Sequence, residues 1–512
     1  MKARVAVVAG AAVLLFLPTI RYGWVQDDRG IIALNPAVRS IPAALRALDK
    51  PYWPPPSQAG LYRPLTILSY AVDWQLSGGR PGWLHGGNAV LHAAAALLVM
   101  LVLARWLPGA AAAVAGLVFA VHPVHVEGVA SLVSRAELLV AVAMLAAVLA
   151  ARRGWWAAAL ICAAVAMLSK EHGVITGVVI LLDNWLQPAD GRRWYPTPFY
   201  AGLALATAGY LLAWANVGRN AVADVAPPFL GTSAAGRLAL ALPAVLRAAR
   251  LLVWPLDLSA DYGPQVIPVQ SGASLAAVGG VLVVGSALCL VFWCRRRAPL
   301  VSFAAGVAAL AYLPTSNLLF SSGVVLAERN LYLPVLLVAA AAGLGASWAT
   351  QRLGSGAGAG RVWVGAAVLV VALMARSAAR LPVWRSNKDF LLTTLSEHPE
   401  SYRAHEWAAA VLAGLGDTTS ARREYARADS LFAGDPHLDA AHAYYLIGLG
   451  DTLAAAPLVN RARRRLPEEP FALRAQLLLY VRRGDRAAAA ALADSVRRRF
   501  PWDVDWYERS LR

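Results

Sequence analysis

The sequence predicts an all-α protein in two parts: a polytopic membrane helical bundle of about eleven spans, then a soluble α-solenoid. Three observations carry that prediction. The 512 residues are 58% hydrophobic and only 15% charged, with a mean hydropathy of +0.52, whereas a soluble domain carries about 25% charged residues. Long apolar runs recur down to Arg380. Beyond it the chain turns charged and Ala-rich, and the pair Gly-Asp returns at a fixed interval.

A membrane-spanning helix needs about 20 apolar residues, with a range of roughly 17 to 25. Suitable runs lie at 3–20, 86–104, 108–122, 137–151, 155–169, 173–187, 197–216, 273–293, 299–317, 331–349 and 361–378. The first is basic at its start (Met1-Lys2-Ala3-Arg4) and no small-residue cleavage site precedes Tyr22, so an uncleaved first helix is expected. With a cytoplasmic N-terminus, Arg105, Arg152-Arg153, Arg192-Arg193, Arg295-Arg296-Arg297, Arg352 and Arg361 all fall on the cytoplasmic side. Short loops rich in Arg favour that side. The predicted location is therefore the inner (plasma) membrane, with the C-terminal part exoplasmic.

Leu238 to Leu256 is apolar but carries Arg247 and Arg250. If it crossed the bilayer, Arg295-Arg296-Arg297 would be moved outside, so it is expected to be an amphipathic interfacial or re-entrant helix. In the long loop from Arg21 to His85, residues 36–50 and 61–76 read as two surface helices. Pro51-Tyr52-Trp53-Pro54-Pro55-Pro56 separates them as a stiff turn.

After Arg380 the pairs Gly416-Asp417, Gly450-Asp451 and Gly484-Asp485 recur every 34 residues, as do Pro467 and Pro501. A 34-residue unit of two helices is the tetratricopeptide signature, and three units are about the minimum for a stable stack. The chain thus divides into a membrane domain, 1–380, and a tetratricopeptide-repeat (TPR) domain, 385–512.

The formal charge of +17 does not indicate nucleic-acid binding, because the basic residues cluster at the ends of apolar runs and not along one stripe. Cys162, Cys289 and Cys294 show no metal or disulfide spacing. No P-loop, nucleophile elbow or zincin motif is present. No metal and no cofactor are expected; His122 and His125, three apart around a proline, are a weak zinc pattern.

The unusual polar groups gather instead at span ends on one side. They are Asp27 and Asp28, Arg63, then His122, His125 and Glu127, Arg135, Lys170 with Glu171, and Glu328 with Arg329. Ionised groups at a bilayer edge are costly and count by default as functional candidates. Carboxylates and cations on one face could bind a lipid phosphate and deprotonate an acceptor. A transporter places such groups nearer the midplane.

Several runs resemble the transmembrane-and-tetratricopeptide-repeat proteins. They are Gln26-Asp27-Asp28, Tyr62-Arg63-Pro64-Leu65, the stretch Phe119 to Glu127, Ser134 to Leu139, Ser169-Lys170-Glu171, Trp254 to Tyr262, and Ala327 to Pro334. Animal members of this family are O-mannosyltransferases of the endoplasmic reticulum with a GT-C fold. The short array and the composition imply a bacterial member. The resemblance implies an inverting glycosyltransferase that moves mannose or another hexose from a polyprenyl-phosphate donor to a hydroxyl, a protein Ser or Thr. It also implies membrane lipid around the bundle and a polypeptide acceptor or protein partner at the TPR domain.

A first-loop carboxylate serves as general base in such enzymes. That role falls on Asp27 or Asp28, because related mannosyltransferases carry Asp-Glu where this chain has Asp-Asp. Arg329, Lys170 and Arg135 are the candidates for the donor phosphate. Arg63, His122, His125, Glu127, Glu171 and Glu328 are further substrate-site candidates. The alternative reading is a non-catalytic multispan TPR scaffold or a lipid-linked sugar carrier.

Overall fold

The computed structural model describes residues 1–512 apart from 56, 58, 188–194, 220–224, 268–273, 355, 501–503 and 512. Arg192-Arg193 and Pro501, used above, lie outside the described residues. The described residues contain helices and no strand. That follows from the medium, since a lipid-embedded chain must satisfy its own backbone N–H and C=O groups, and a helix does so within one segment.

The membrane part runs α1 (Lys2–Phe16), α2 (Ile41–Arg46), α3 (Pro64–Ser77), α4 (Pro81–Leu103), α5 (Gly109–Val121), α6 (His125–Ala130), α7 (Arg135–Arg152) and α8 (Trp156–Ser169). It continues with α9 (Thr176–Trp185), α10 (Thr197–Gly218), α11 (Ala234–Val253), α12 (Leu275–Arg297), α13 (Pro299–Tyr312), α14 (Val335–Leu353) and α15 (Ala357–Arg380). Ten of the eleven expected spans overlap a single helix, and the run 173–187 is divided. Six segments, Lys2–Arg21, Pro81–Leu103, Leu132–Arg152, Thr197–Gly218, Leu275–Arg297 and Ala357–Trp384, are long and apolar enough to cross a membrane. The protein is thus a multi-pass membrane protein.

The others are shorter or less apolar, and one departs from expectation. The 173–187 run is split into a 3-10 turn at Glu171–Ile175 and the ten-residue α9, which rises only ~15 Å. The 3-10 turn is pressed against the end of α8, where a Cβ on Gly173 would lie 2.1 Å from Ala166 O; near the other end of α9, buried Asp183 accepts from Arg152 Nε at 3.0 Å and Nη2 at 2.7 Å. A buried carboxylate needs such partners, and α9 stops where it meets them.

α11 stays on one side. At its start Arg237 Nη2 donates to Leu318 O (3.3 Å), and near its end the Leu252 carbonyl meets His122 Nε2 (3.0 Å). Leu318 and His122 belong to the loops that also carry Arg329 and Glu127, so both helix ends reach the same face. Its apolar side packs on α12, where a Cβ on Gly280 would lie 2.1 Å from Leu242 O. Only glycine permits that approach.

On the same face the first loop forms a cap with a small core of its own. Ile31, Ile32, Val38, Tyr52, Ile67, Tyr70 and Leu132 are buried together, while Trp24 stacks on Trp74 at 6.2 Å and Arg39 lies 4.1 Å over the Trp74 ring. The expected surface helices are realised as α2 and α3 within this cap.

Past α15 come α16 (Asn387–Glu397) and three helical hairpins: α17 (Tyr402–Gly414) with α18 (Thr418–Leu431), α19 (Pro436–Gly448) with α20 (Thr452–Arg465), and α21 (Pro470–Arg482) with α22 (Arg486–Arg499). A last helix, α23 (Val504–Leu511), closes the chain. The Gly-Asp pair explains each hairpin. Gly416, Gly450 and Gly484 take φ of 81°, 85° and 75°, the left-handed turn that ends a helix. Asp417, Asp451 and Asp485 then cap the next helix by accepting from Ser420, Ala454 and Ala488 N–H groups at 3.0, 3.1 and 3.0 Å, as N-cap carboxylates do.

Gly450→Ala should therefore destabilise the middle hairpin by about 1–2 kcal/mol, the cost of a left-handed L-residue. Faster amide exchange confined to α19 and α20 would show it; unchanged exchange there would contradict the assignment.

Candidate active site

The site is built around the loop that leaves α1. Asp28 is fully buried. Its Oδ2 accepts from Val25 N–H at 3.1 Å and its Oδ1 from Val133 N–H at 3.0 Å. The first contact closes the local turn, and the second ties the first loop to the connection between α6 and α7. Burial pushes the Asp28 carboxyl up to about 7, against the pull of those backbone donors.

Asp27 is different. It is exposed, and among the described residues no hydrogen bond to its carboxylate is found. Walls of protein still surround it, and that desolvation raises its pKa above the ordinary aspartate range. Arg329 counters the rise, Glu127 adds to it, and Arg403 counters it. The two neighbouring aspartates therefore hold separate positions: one is buried and closes a loop, the other is exposed and without a hydrogen bond among the described residues.

Glu127, buried on α6, positions Arg329. It accepts from the Arg329 backbone N–H at 2.9 Å and pairs with the guanidinium Nη1. The Arg329 side chain keeps about 30% of its surface accessible, leaving an outer edge for an anion. Its neighbour Glu328 turns inward, where one carboxylate oxygen accepts from Ser259 N–H and from Tyr262 O–H, each at 2.8 Å. Burial raises the Glu328 carboxyl to about 7.

The remaining sequence candidates are mostly committed to protein partners. Arg135 is buried, with Nε on Asn88 Oδ1 at 2.8 Å, Nη2 on Leu84 O at 2.8 Å and Nη1 on Asp73 Oδ2 at 2.6 Å. A guanidinium so enclosed offers little to a phosphate, so the structure does not place Arg135 at an open site. Lys170 is buried against Glu137, which also faces His172 Nε2 at 3.4 Å. Arg63 holds Glu171 through Nε, at 3.1 and 3.0 Å from the two carboxylate oxygens, and Nη2 at 2.8 Å, and lies 4.8 Å over the Tyr52 ring.

His122 Nε2 faces Leu252 O, while His125 has Phe119 O at 2.7 Å and Tyr332 O at 3.0 Å on its two ring nitrogens. These imidazoles are engaged with backbone. Of the three proposed phosphate-binding cations, only Arg329 combines an open edge with proximity to Asp27.

Sequence reasoning missed Arg403, at the start of the first hairpin. Its Nη1 lies 3.5 Å from Asp261 Oδ1 and its Nε donates to Tyr402 Oη at 3.1 Å, and its charge reaches Asp27. Ser401 Oγ also donates to Asp261 Oδ2 at 2.9 Å. Nothing local distinguishes Arg403 from the other arginines of the hairpins; only the docking of the two parts does.

Glu328 yields a pH prediction. Its pKa is raised from an unfolded value near 4.3 to about 7, so the folded state binds the extra proton. Its share of stability is complete below about 4 and is lost as pH rises through about 7. Glu328→Gln keeps an oxygen acceptor for Ser259 and Tyr262 without the charge. Thermal melts should then fall less between about pH 4 and 8, the interval that spans the unfolded and folded pKa values, than for the unmodified chain. An identical slope would show that Glu328 ionises freely.

No family model matches the chain. It is 28% identical over 436 residues to mouse protein O-mannosyl-transferase TMTC4, covering 71% of this chain and 57% of that protein. It is 26% identical over 427 residues to Caenorhabditis elegans protein O-mannosyl-transferase F38B6.6, covering 81% and 60%. Over 132 residues it is 38% identical to Drosophila melanogaster protein O-mannosyl-transferase Tmtc1, covering 25% and 15%. The chain therefore spans little more than half the length of the mouse and nematode relatives. Among solved structures, ArnT from Cupriavidus metallidurans bound to undecaprenyl phosphate aligns over 97% of this chain and 81% of that chain, with 14% identity and a TM-score of 0.38. By sequence, this chain is similar to proteins named protein O-mannosyl-transferases.

Proposed function

We propose that the chain is an inverting membrane glycosyltransferase that moves a hexose from a polyprenyl-phosphate donor to a hydroxyl acceptor, a protein Ser or Thr. The names of its relatives point to mannose. The observation that carries the reading is the isolation of Asp27. In a face where the other carboxylates have protein donors, it alone is exposed beside a cation with an open edge.

In this scheme Asp27 takes the proton from the acceptor hydroxyl as the oxygen attacks the anomeric carbon. The bond from that carbon to the phosphate oxygen breaks on the opposite side, so the configuration inverts. The departing phosphate gains charge, and the outer edge of Arg329 neutralises it. A carboxyl with a raised pKa is a stronger base once ionised, which suits the role. Asp28 holds the loop and touches no substrate.

The membrane domain, residues 1–380, would carry this chemistry on the exoplasmic face. Arg105, Arg152, Arg153, Arg295, Arg296, Arg297 and Arg352 gather at the other ends of the helices, as the positive-inside rule places cytoplasmic residues. The hairpins of 385–512 would act as tetratricopeptide repeats that hold the polypeptide acceptor, raising its concentration at the site.

The test is sugar transfer by reconstituted protein from labelled polyprenyl-phosphate hexoses. Asp27→Asn should lower the rate about 10²–10⁴-fold, the usual worth of a general base, with the melting temperature unchanged. The acid limb of kcat/KM should lie above the ordinary aspartate range, following the raised pKa of Asp27. Full activity in Asp27→Asn would sink the reading.

A further inference from the structure

The Asp27 loop is held by residues at the start of the C-terminal part, just past the last membrane helix. Gln26 is one of two non-glycine residues with positive φ among those described, at 51°, a conformation uncommon for residues with a side chain. Its backbone N–H donates to Asn387 Oδ1 at 2.7 Å, a bond that spans 361 residues of sequence. Close by, the Gly23 N–H donates to Arg385 O at 3.1 Å. On the other flank, Asp28 fixes Val25 and Val133. Asp27 therefore stands between two anchors, one inside the membrane domain and one at the first turn of α16.

We propose that Asn387 is a positioning residue for Asp27: its amide oxygen holds the strained Gln26 peptide and thereby aims the adjacent carboxylate at the acceptor. The inference rests on the reading of Asp27 as the base and extends it. The segment after the last membrane helix becomes part of the active site's framework, so the C-terminal domain has a role in the reaction besides any hold on the acceptor. The physical case is local. A backbone N–H in a left-handed turn that loses its acceptor lets the peptide relax, and the next residue's Cα–Cβ direction turns with it. A displacement of about 1 Å at a reacting group can cost on the order of 10²-fold in rate.

The experiment uses the full chain, reconstituted and supplied with the donor that the unmodified protein accepts. In Asn387→Leu, kcat should fall on the order of 10²-fold, while donor KM changes by less than about threefold because Arg329 is untouched. Asn387→Asp keeps an oxygen acceptor, so it should restore most of kcat and move the acid limb of the pH profile upward. A carboxylate beside Asp27 favours its protonated form. Adding Gln26→Gly to Asn387→Leu should recover part of the loss, because glycine adopts positive φ without strain.

Unchanged kcat in Asn387→Leu overturns this inference and leaves the glycosyltransferase reading intact. A loss that appears in KM and melting temperature alone, without rescue by Asn387→Asp, also overturns it, since Asn387 would then only stabilise the docked domain. Unmodified protein that transfers no sugar from any donor overturns both, because no reaction remains for Asn387 to serve.

Discussion

Charge at the edge of a bilayer survives only when it is paired or hydrogen-bonded, and that constraint organises the whole face on which Asp27 lies. Among the described residues, the buried and half-buried carboxylates there have found donors. Asp28 takes backbone N–H groups of Val25 and Val133, and Glu127 takes Arg329. Glu137 takes Lys170, and Glu171 takes Arg63. Asp73 takes Arg135, and Glu328 takes Ser259 and Tyr262. Removing one partner of such a pair would leave a buried charge exposed to low dielectric, at a cost of about 3–5 kcal/mol. The pairs therefore act as rivets between loops far apart in sequence, and together they hold a single carboxylate that has no rivet of its own.

Much of this was legible in the chain, for identifiable reasons. Apolar length locates the helices because lipid leaves the backbone no alternative, and all but one of the expected spans overlap a single helix. The Gly-Asp pairs located the hairpins because each residue type has one job at a helix junction. What pattern could not resolve was the break ahead of α9, where Gly173 is pressed against the Ala166 carbonyl of the preceding helix, a contact between elements that the local run does not announce. Pattern also placed the 238–256 helix on one side by charge counting alone, and the contacts at its two ends agree with that placement.

The site residues show the same division. Sequence found the acidic couple yet could not separate its members, because Asp27 and Asp28 differ only in what approaches from elsewhere: Val133 for one, Arg329 and Arg403 for the other. Arg135 read as a free cation and is enclosed by Asn88, Leu84 and Asp73, all distant in sequence. Arg403 and Asn387 carry no local signature. Their significance exists only once the C-terminal part has docked.

That docking is not confined to the first hairpin. Arg499, at the end of α22, donates to Arg219 O at 2.9 Å just beyond α10, while Arg403 meets Asp261 at the beginning of the array. An array of hairpins that touches its support at both ends cannot swing about either contact without breaking the other, so its position and the geometry of the Asp27 loop are fixed together.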